Sequence, residues 1–256
     1  MEAKSHEPGA FSWFELATTD ANRAKAFYTE LFAWKANDVP MGPDGGVYTL
    51  LLKEGAEVAA LYPKREEGVP PNWLSYVTVE KVDESARRAR ELGAAVLSEP
   101  FDVMDLGRMA VVRDPTGAVF ALWQAGKSIG ARRVNETGAA CWSELATRDT
   151  SVAEKFYTRL FGWKAKTSEY GGAPYTEFLL GDRSIAGMMA IRDEWGPMPT
   201  YWAVYFGVDN ADESTSRAQR LGGRVLTPPT DIPNVGRFSI VQDPLGATLS
   251  LFQPRS

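Results

Sequence analysis

Two glutamates sit beside two tryptophans at equivalent points in the chain. Trp13-Phe14-Glu15 returns 129 residues later as Trp142-Ser143-Glu144. A carboxyl group next to an indole, in a segment whose residues alternate, is the type of group that loses water on folding. Desolvation raises its pKa and suits it to general acid or base work. The alternative is a neutralising arginine, because buried charges are normally paired. Arg108 and Arg237 are the candidates, since they occupy equivalent positions in strands of the same sheet as each glutamate. The same alternation turns Trp13 and Trp142 to the side of the glutamates, and Tyr76, Trp123, Tyr205 and Phe252 in later strands are further candidates for ligand contact. Such a set lines an apolar slot for an organic molecule, or else fills the interior itself.

The elements that position these residues come from a repeat covering each half. Phe11 to Thr18 alternates as a strand, and Asp20 caps a helix carrying Phe27, Tyr28, Leu31 and Trp34. Met41 to Gly46 reads as a loop, followed by strands at Val47 to Lys53 and Val58 to Tyr62, and a polar crossover at Pro63 to Pro71. Trp73 to Val79 opens a second module, with a helix from Val82, strands near Ala95 to Leu97, Gly107 to Arg113 and Ala118 to Gln124, and an Asp114-Pro115-Thr116-Gly117 turn. Each of these returns in the second half. Residues 9–124 and 138–253 are thus two copies of one domain. Residues 125–137 form a linker with few large apolar side chains, and limited proteolysis should cut first there or in the Met41 to Gly46 loop. Residues 1–8 read as a flexible leader, with His6 solvated.

Composition narrows the chemistry. The chain has 256 residues, a net charge of −5, 44% hydrophobic and 24% charged residues, as in a globular protein. No basic patch supports a nucleic-acid partner. No apolar run approaches the roughly 20 residues of a membrane span. A single cysteine, Cys141, excludes an internal disulfide and reads as a small buried apolar residue. One histidine, His6, leaves none within the fold for a histidine-based metal site or a serine–histidine triad. The expected setting is the cytoplasm.

Leu16-Ala17-Thr18-Thr19-Asp20, Phe27-Tyr28, Leu31-Phe32-Ala33-Trp34, Leu92-Gly93-Ala94 and Asp114-Pro115-Thr116-Gly117, each with its second copy, resemble the vicinal oxygen chelate superfamily. That superfamily includes glyoxalase I, bleomycin-resistance proteins, fosfomycin-resistance enzymes and extradiol dioxygenases. The chain looks most like its two-domain actinobacterial glyoxalase-like members. The resemblance implies an α+β fold of tandem domains, each made of two βαβββ modules forming a curved, barrel-like mixed sheet. It also implies three metal-ligand positions, held here by Trp13, Leu74 and Ala121, and by Trp142, Ala203 and Ser250 in the second half. None ligates a transition metal usefully, so neither metal nor other cofactor is expected. The leading expectation is metal-independent binding of a small, partly aromatic molecule in a tryptophan-lined pocket, as in drug resistance. An alternative is a lyase, isomerase or cofactor-free oxygenase with Glu15 or Glu144 as base. Another is a structural protein with filled barrels. Whether modules pair within or between halves, and whether the chain forms a homodimer, stays open.

Overall fold

The computed structural model describes residues 2–41, 46–64, 68–170 and 172–255. The loop expected at Met41 to Gly46 and the crossover at Pro63 to Pro71 fall partly outside them. In the first half, β1 (Phe11–Thr18), α1 (Ala21–Phe32), β2 (Lys35–Pro40), β3 (Val47–Lys53) and β4 (Ala56–Pro63) form one module. The other comprises β5 (Asn72–Thr78), α2 (Val82–Glu91), β6 (Ala95–Val103), β7 (Gly107–Arg113) and β8 (Val119–Ala125). The second half repeats this order, with β9 (Ala140–Thr147), α3 (Thr150–Phe161), β10 (Lys164–Tyr170), β11 (Ala173–Leu180) and β12 (Arg183–Ala190). Its second module holds β13 (Tyr201–Gly207), α4 (Ala211–Arg220), β14 (Arg224–Ile232), β15 (Gly236–Gln242) and β16 (Thr248–Pro254).

Strand β2 has no counterpart among the strands read from the sequence. Its residues are almost all exposed, so no apolar alternation marks it. Asp20 caps α1 by accepting from the Arg23 amide at 3.0 Å, which satisfies one of the amides a helix start leaves unpaired.

Each half builds one eight-stranded open sheet, in the order β2-β3-β4-β1-β5-β8-β7-β6 and its second-half equivalent. The antiparallel pairs β1–β5 and β9–β13 join the two modules within a half. Side-chain alternation then gives each sheet a concave face and a helix-covered face.

The helix-covered faces are not separate. Phe14, Phe27, Tyr28 and Trp34 from the first module pack with Val204, Phe206, Ala218 and Leu249 from the fourth. Phe120, Val112 and Ala86 from the second pack with Phe156, Tyr157, Trp163 and Trp202. Modules therefore pair within a half through strands and between halves through helices. Polar ties follow the same crossing. Tyr28 Oη donates to Asp243 Oδ2 at 3.0 Å, and Tyr157 Oη to Asp114 Oδ2 at 2.7 Å. Trp34 Nε1 reaches the Gly138 carbonyl and Trp163 Nε1 the Gly9 carbonyl, at 2.8 and 2.9 Å. Burial of each large side chain in these cores contributes about 1.5–3 kcal/mol.

Two sequence expectations need correction. The linker, expected to be an early protease site, has its backbone bonded to β1 and β4 of the first module. The Ala131 amide donates to the Ser12 carbonyl, and the Arg132 amide to the Glu57 carbonyl, both at 2.7 Å. Gly130 has φ +93°, and a Cβ there would lie 2.3 Å from the Ser12 oxygen, so the close approach needs glycine. The leader is pinned as well. The Ala3 amide bonds the Arg132 carbonyl, and His6 Nε2 lies 2.7 Å from the Ala131 carbonyl oxygen. Burial lowers the pKa of His6, so it is not a solvated imidazole.

Candidate functional site

Alternation along β1 sends Phe14 and Leu16 into the helix-side core and leaves Trp13, Glu15 and Ala17 on the concave face. Strand register then gathers partners around Glu15. Trp13 lies opposite Tyr76, and Tyr76 opposite Ala121. Tyr76 Oη donates to Glu15 Oε1 at 2.5 Å, and Tyr48 Oη to Glu15 Oε2 at 2.8 Å. Trp13 Nε1 donates to Tyr48 Oη at 2.9 Å. Glu15 is only 8% exposed.

The second half repeats the arrangement. Tyr205 Oη and Tyr175 Oη donate to the two oxygens of Glu144 at 2.9 and 2.8 Å, and Trp142 Nε1 donates to Tyr175 Oη at 3.2 Å. In both halves a carboxyl group is clasped between two phenols, with an indole bonded to one of them.

Burial pushes the pKa of Glu15 and of Glu144 upward, and the phenol hydrogen bonds partly oppose it. Burial also raises Tyr48, Tyr76, Tyr175 and Tyr205, with the neighbouring carboxylate adding to the effect. The phenols therefore remain donors. A carboxyl group raised in this way gives up its proton less readily than an exposed one.

The arginines do not take part. Arg108 forms a two-pronged pair with Asp83 at 2.7 and 2.9 Å and reaches Asp102 at 2.9 Å. Arg237 does the same with Asp212 and Asp231. The expectation that they neutralise Glu15 and Glu144 is thereby corrected. Their nearer acidic partners, on the adjacent helix and strand, satisfy the guanidinium groups. The phenols that do satisfy the glutamates include Tyr48 and Tyr175, which sequence reasoning missed. Their signal was present, since each begins the repeated strand after the first loop.

Trp123 lies on the concave face of β8, 7% exposed, with its Nε1 donating to the Ser128 carbonyl at 3.2 Å. Phe252 takes the equivalent place on β16, half-buried and paired with Phe238. Cys141 is distant from this chemistry in kind, since burial pushes its thiol up to about 12.

The fold family implies a divalent metal, and the residues present do not fit one. Trp13, Leu74, Ala121, Trp142 and Ala203 offer no ligating oxygen, sulfur or imidazole, and Ser250 offers one hydroxyl. Both oxygens of each glutamate already receive phenol protons. Among the described residues, no three histidine, cysteine or acidic side chains gather as a metal-holding group.

Comparison with known proteins agrees with this architecture. The profile of the Glyoxalase/Bleomycin resistance protein/Dioxygenase superfamily matches residues 10–122 and 138–251. The "Putative glyoxylase CFP32" of Mycobacterium tuberculosis is 40% identical over 253 residues, covering 97% of this chain and 96% of the relative. The "Anthracycline biosynthesis protein DnrV" of Streptomyces peucetius is 34% identical over 262 residues, covering 97% and 94%. In fold, the chain is similar to the Mn(II)-bound glyoxalase from Novosphingobium aromaticivorans, with TM-score 0.64 and 18% identity over 96% of this chain and 82% of that one. The 2,3-dioxygenase LapB from Pseudomonas sp. KL28 gives TM-score 0.65 and 11% identity, over 98% and 94%.

Proposed function

The chain belongs to the glyoxalase/bleomycin resistance/dioxygenase superfamily, and from that premise we propose that it binds a small, partly aromatic organic molecule without a metal ion. The observation that carries this reading is the phenol–carboxyl–phenol clasp on the concave face beside Trp13 and Trp142. An indole wall supplies stacking of about 0.5–1.5 kcal/mol beyond area burial. The clasp supplies a polar anchor able to meet a hydroxyl, amine or carbonyl. A relative named for anthracycline biosynthesis supports a polycyclic aromatic ligand.

The test is titration of intrinsic tryptophan fluorescence with anthracyclines and related polycyclic quinones. Saturable quenching is expected in the parent and should weaken strongly in a Trp13→Ala, Trp142→Ala double variant that retains its fold. Equal binding by parent and variant refutes the stacking role.

A second reading is acid–base catalysis on the same bound molecule. The raised pKa of Glu15 and Glu144 favours it, because a proton donor and acceptor working near neutral pH needs such a shift. A Glu15→Gln, Glu144→Gln double variant keeps size and hydrogen bonding but cannot exchange a proton in this way. Turnover lost with binding retained supports catalysis; unchanged turnover removes it.

A further inference from the structure

The two concave faces carry the same clasp on different floors. Across the first sheet, the row through the glutamate reads Leu50, Ala60, Glu15, Leu74. Across the second it reads Glu177, Gly187, Glu144, Ala203. Three of the four positions become smaller or polar. Leucine becomes alanine at the β13 position, alanine becomes glycine at β12, and an apolar leucine becomes a carboxylate at β11.

The first concavity is also filled from its side. Tyr76, Ala121 and Trp123 are buried together, with Trp13, Leu74, Val103, Leu106 and Met109 packed against them. The segment after β8 holds this cover down. The Gly126 and Ser128 amides both bond the Leu106 carbonyl, and the Ser128 carbonyl receives the Trp123 indole proton. In the second half, Phe252 replaces the larger indole and is only half-buried, and Ser250 replaces Ala121.

Gly187 has a specific part in this. A Cβ at that position would lie 1.9 Å from Tyr175 Oη and 3.1 Å from Trp142 Nε1. The Tyr175 phenol therefore lies down over the bare backbone of β12, a position that Ala60 denies to Tyr48. Glu177 sits one strand beyond Gly187, so its backbone is about 10 Å from that of Glu144, two strand spacings away. Ser184 Oγ donates to Glu177 Oε1 at 3.0 Å and orients it.

We propose that the second half alone holds the ligand, and that its ligand is an aromatic ring system bearing hydrogen-bond donors on one edge, seated against the Tyr175 phenol, which Gly187 lets lie flat, between Glu144 and Glu177. The first half is a self-filled copy. Gly187, Ala203 and Glu177 set the specificity. This rests on the binding function proposed above and goes further by assigning the half, the determinants and the ligand's polar edge.

The experiment is isothermal titration of the full chain with an anthracycline. One equivalent per chain is expected. The Gly187→Ala, Ala203→Leu variant, which writes the first half's floor into the second, should weaken binding at least about tenfold, or 1.4 kcal/mol. Leu74→Phe in the first half should leave it unchanged. Glu177→Leu, which writes in the first half's residue at this position, provides a second route. It should reduce the parent's preference for a dihydroxyanthraquinone over the unsubstituted ring by about tenfold, while its melting temperature stays near the parent's. Two equivalents per chain, or parental affinity in the floor variant, or an unchanged preference in Glu177→Leu, overturns this inference while leaving the binding function standing. A parent that binds no member of the set overturns both.

Discussion

Replacing Tyr157 by phenylalanine removes one oxygen atom from a fully buried site that joins the halves. That oxygen donates to Asp114 Oδ2 at 2.7 Å and accepts from Trp202 Nε1 at 2.8 Å. It has no exposed surface, so water cannot replace it without repacking. A hydrogen bond to a charged group contributes about 1.5–3 kcal/mol and a neutral one about 0.5–1.5 kcal/mol. The loss expected for Tyr157→Phe is therefore about 3 kcal/mol. In a chain of this size that lowers Tm by roughly 6–12 °C. The symmetry-related Tyr28→Phe should cost less, because its bonds to Asp243 and from Trp73 are longer, at 3.0 and 3.1 Å. Urea unfolding followed by tryptophan fluorescence and by circular dichroism measures both. Since each helix-side core draws on both halves, the two probes should report one coincident transition in parent and variant. A loss below about 0.5 kcal/mol for Tyr157→Phe, or separate transitions for the two halves in the parent, refutes the reasoning.

Three further outcomes are expected. Burial raises the carboxyl pKa of Glu15 and Glu144 from the ordinary 4.5, so the folded chain holds these protons more tightly than the unfolded one. Their contribution is fullest below the unfolded value and is lost as pH rises through the folded values. The parent should accordingly lose stability relative to a Glu15→Gln, Glu144→Gln variant as pH climbs above 4.5, and parallel stability–pH curves refute this. Gly130→Ala should destabilise by more than about 1 kcal/mol and expose the linker to protease, whereas the parent linker should resist cleavage until global unfolding; early parental cleavage there refutes the packed linker. Cys141, with its thiol raised to about 12, should resist iodoacetamide at pH 8 in the folded state and react on denaturation, which mass spectrometry reads directly.

The repeat of Leu16-Ala17-Thr18 with Leu145-Ala146-Thr147 made the duplicated α+β architecture legible, because its period and the strand alternation are carried by the residues themselves. The same alternation put Trp13 and Glu15 on one face. The partners of Glu15 were harder to read. Arg108 is attractive by charge, but its position beside Asp102 and the start of α2 is a matter of tertiary geometry. Tyr48 follows a loop of irregular length, and the phenol's reach depends on strand register. The crossing of helices between halves was illegible for a different reason. Phe27, Tyr28 and Leu31 would present the same apolar face to either neighbour. His6 was misread because the bonds that fix it come from Ala131, 125 residues away.

The crossed helix packing makes each half the other's inner wall, while each concave face belongs to one half alone. Along β1 and β9 these two duties fall on alternate residues. Changing Phe14 or Leu145 disturbs a wall that both halves need. Changing Trp13, Glu15, Trp142 or Glu144 alters one interior surface and leaves that wall in place. Duplication has therefore given the chain two concave surfaces on a single foundation. One surface can diverge toward a new molecule while the other is released to become ballast, and neither path requires the fold to be rebuilt.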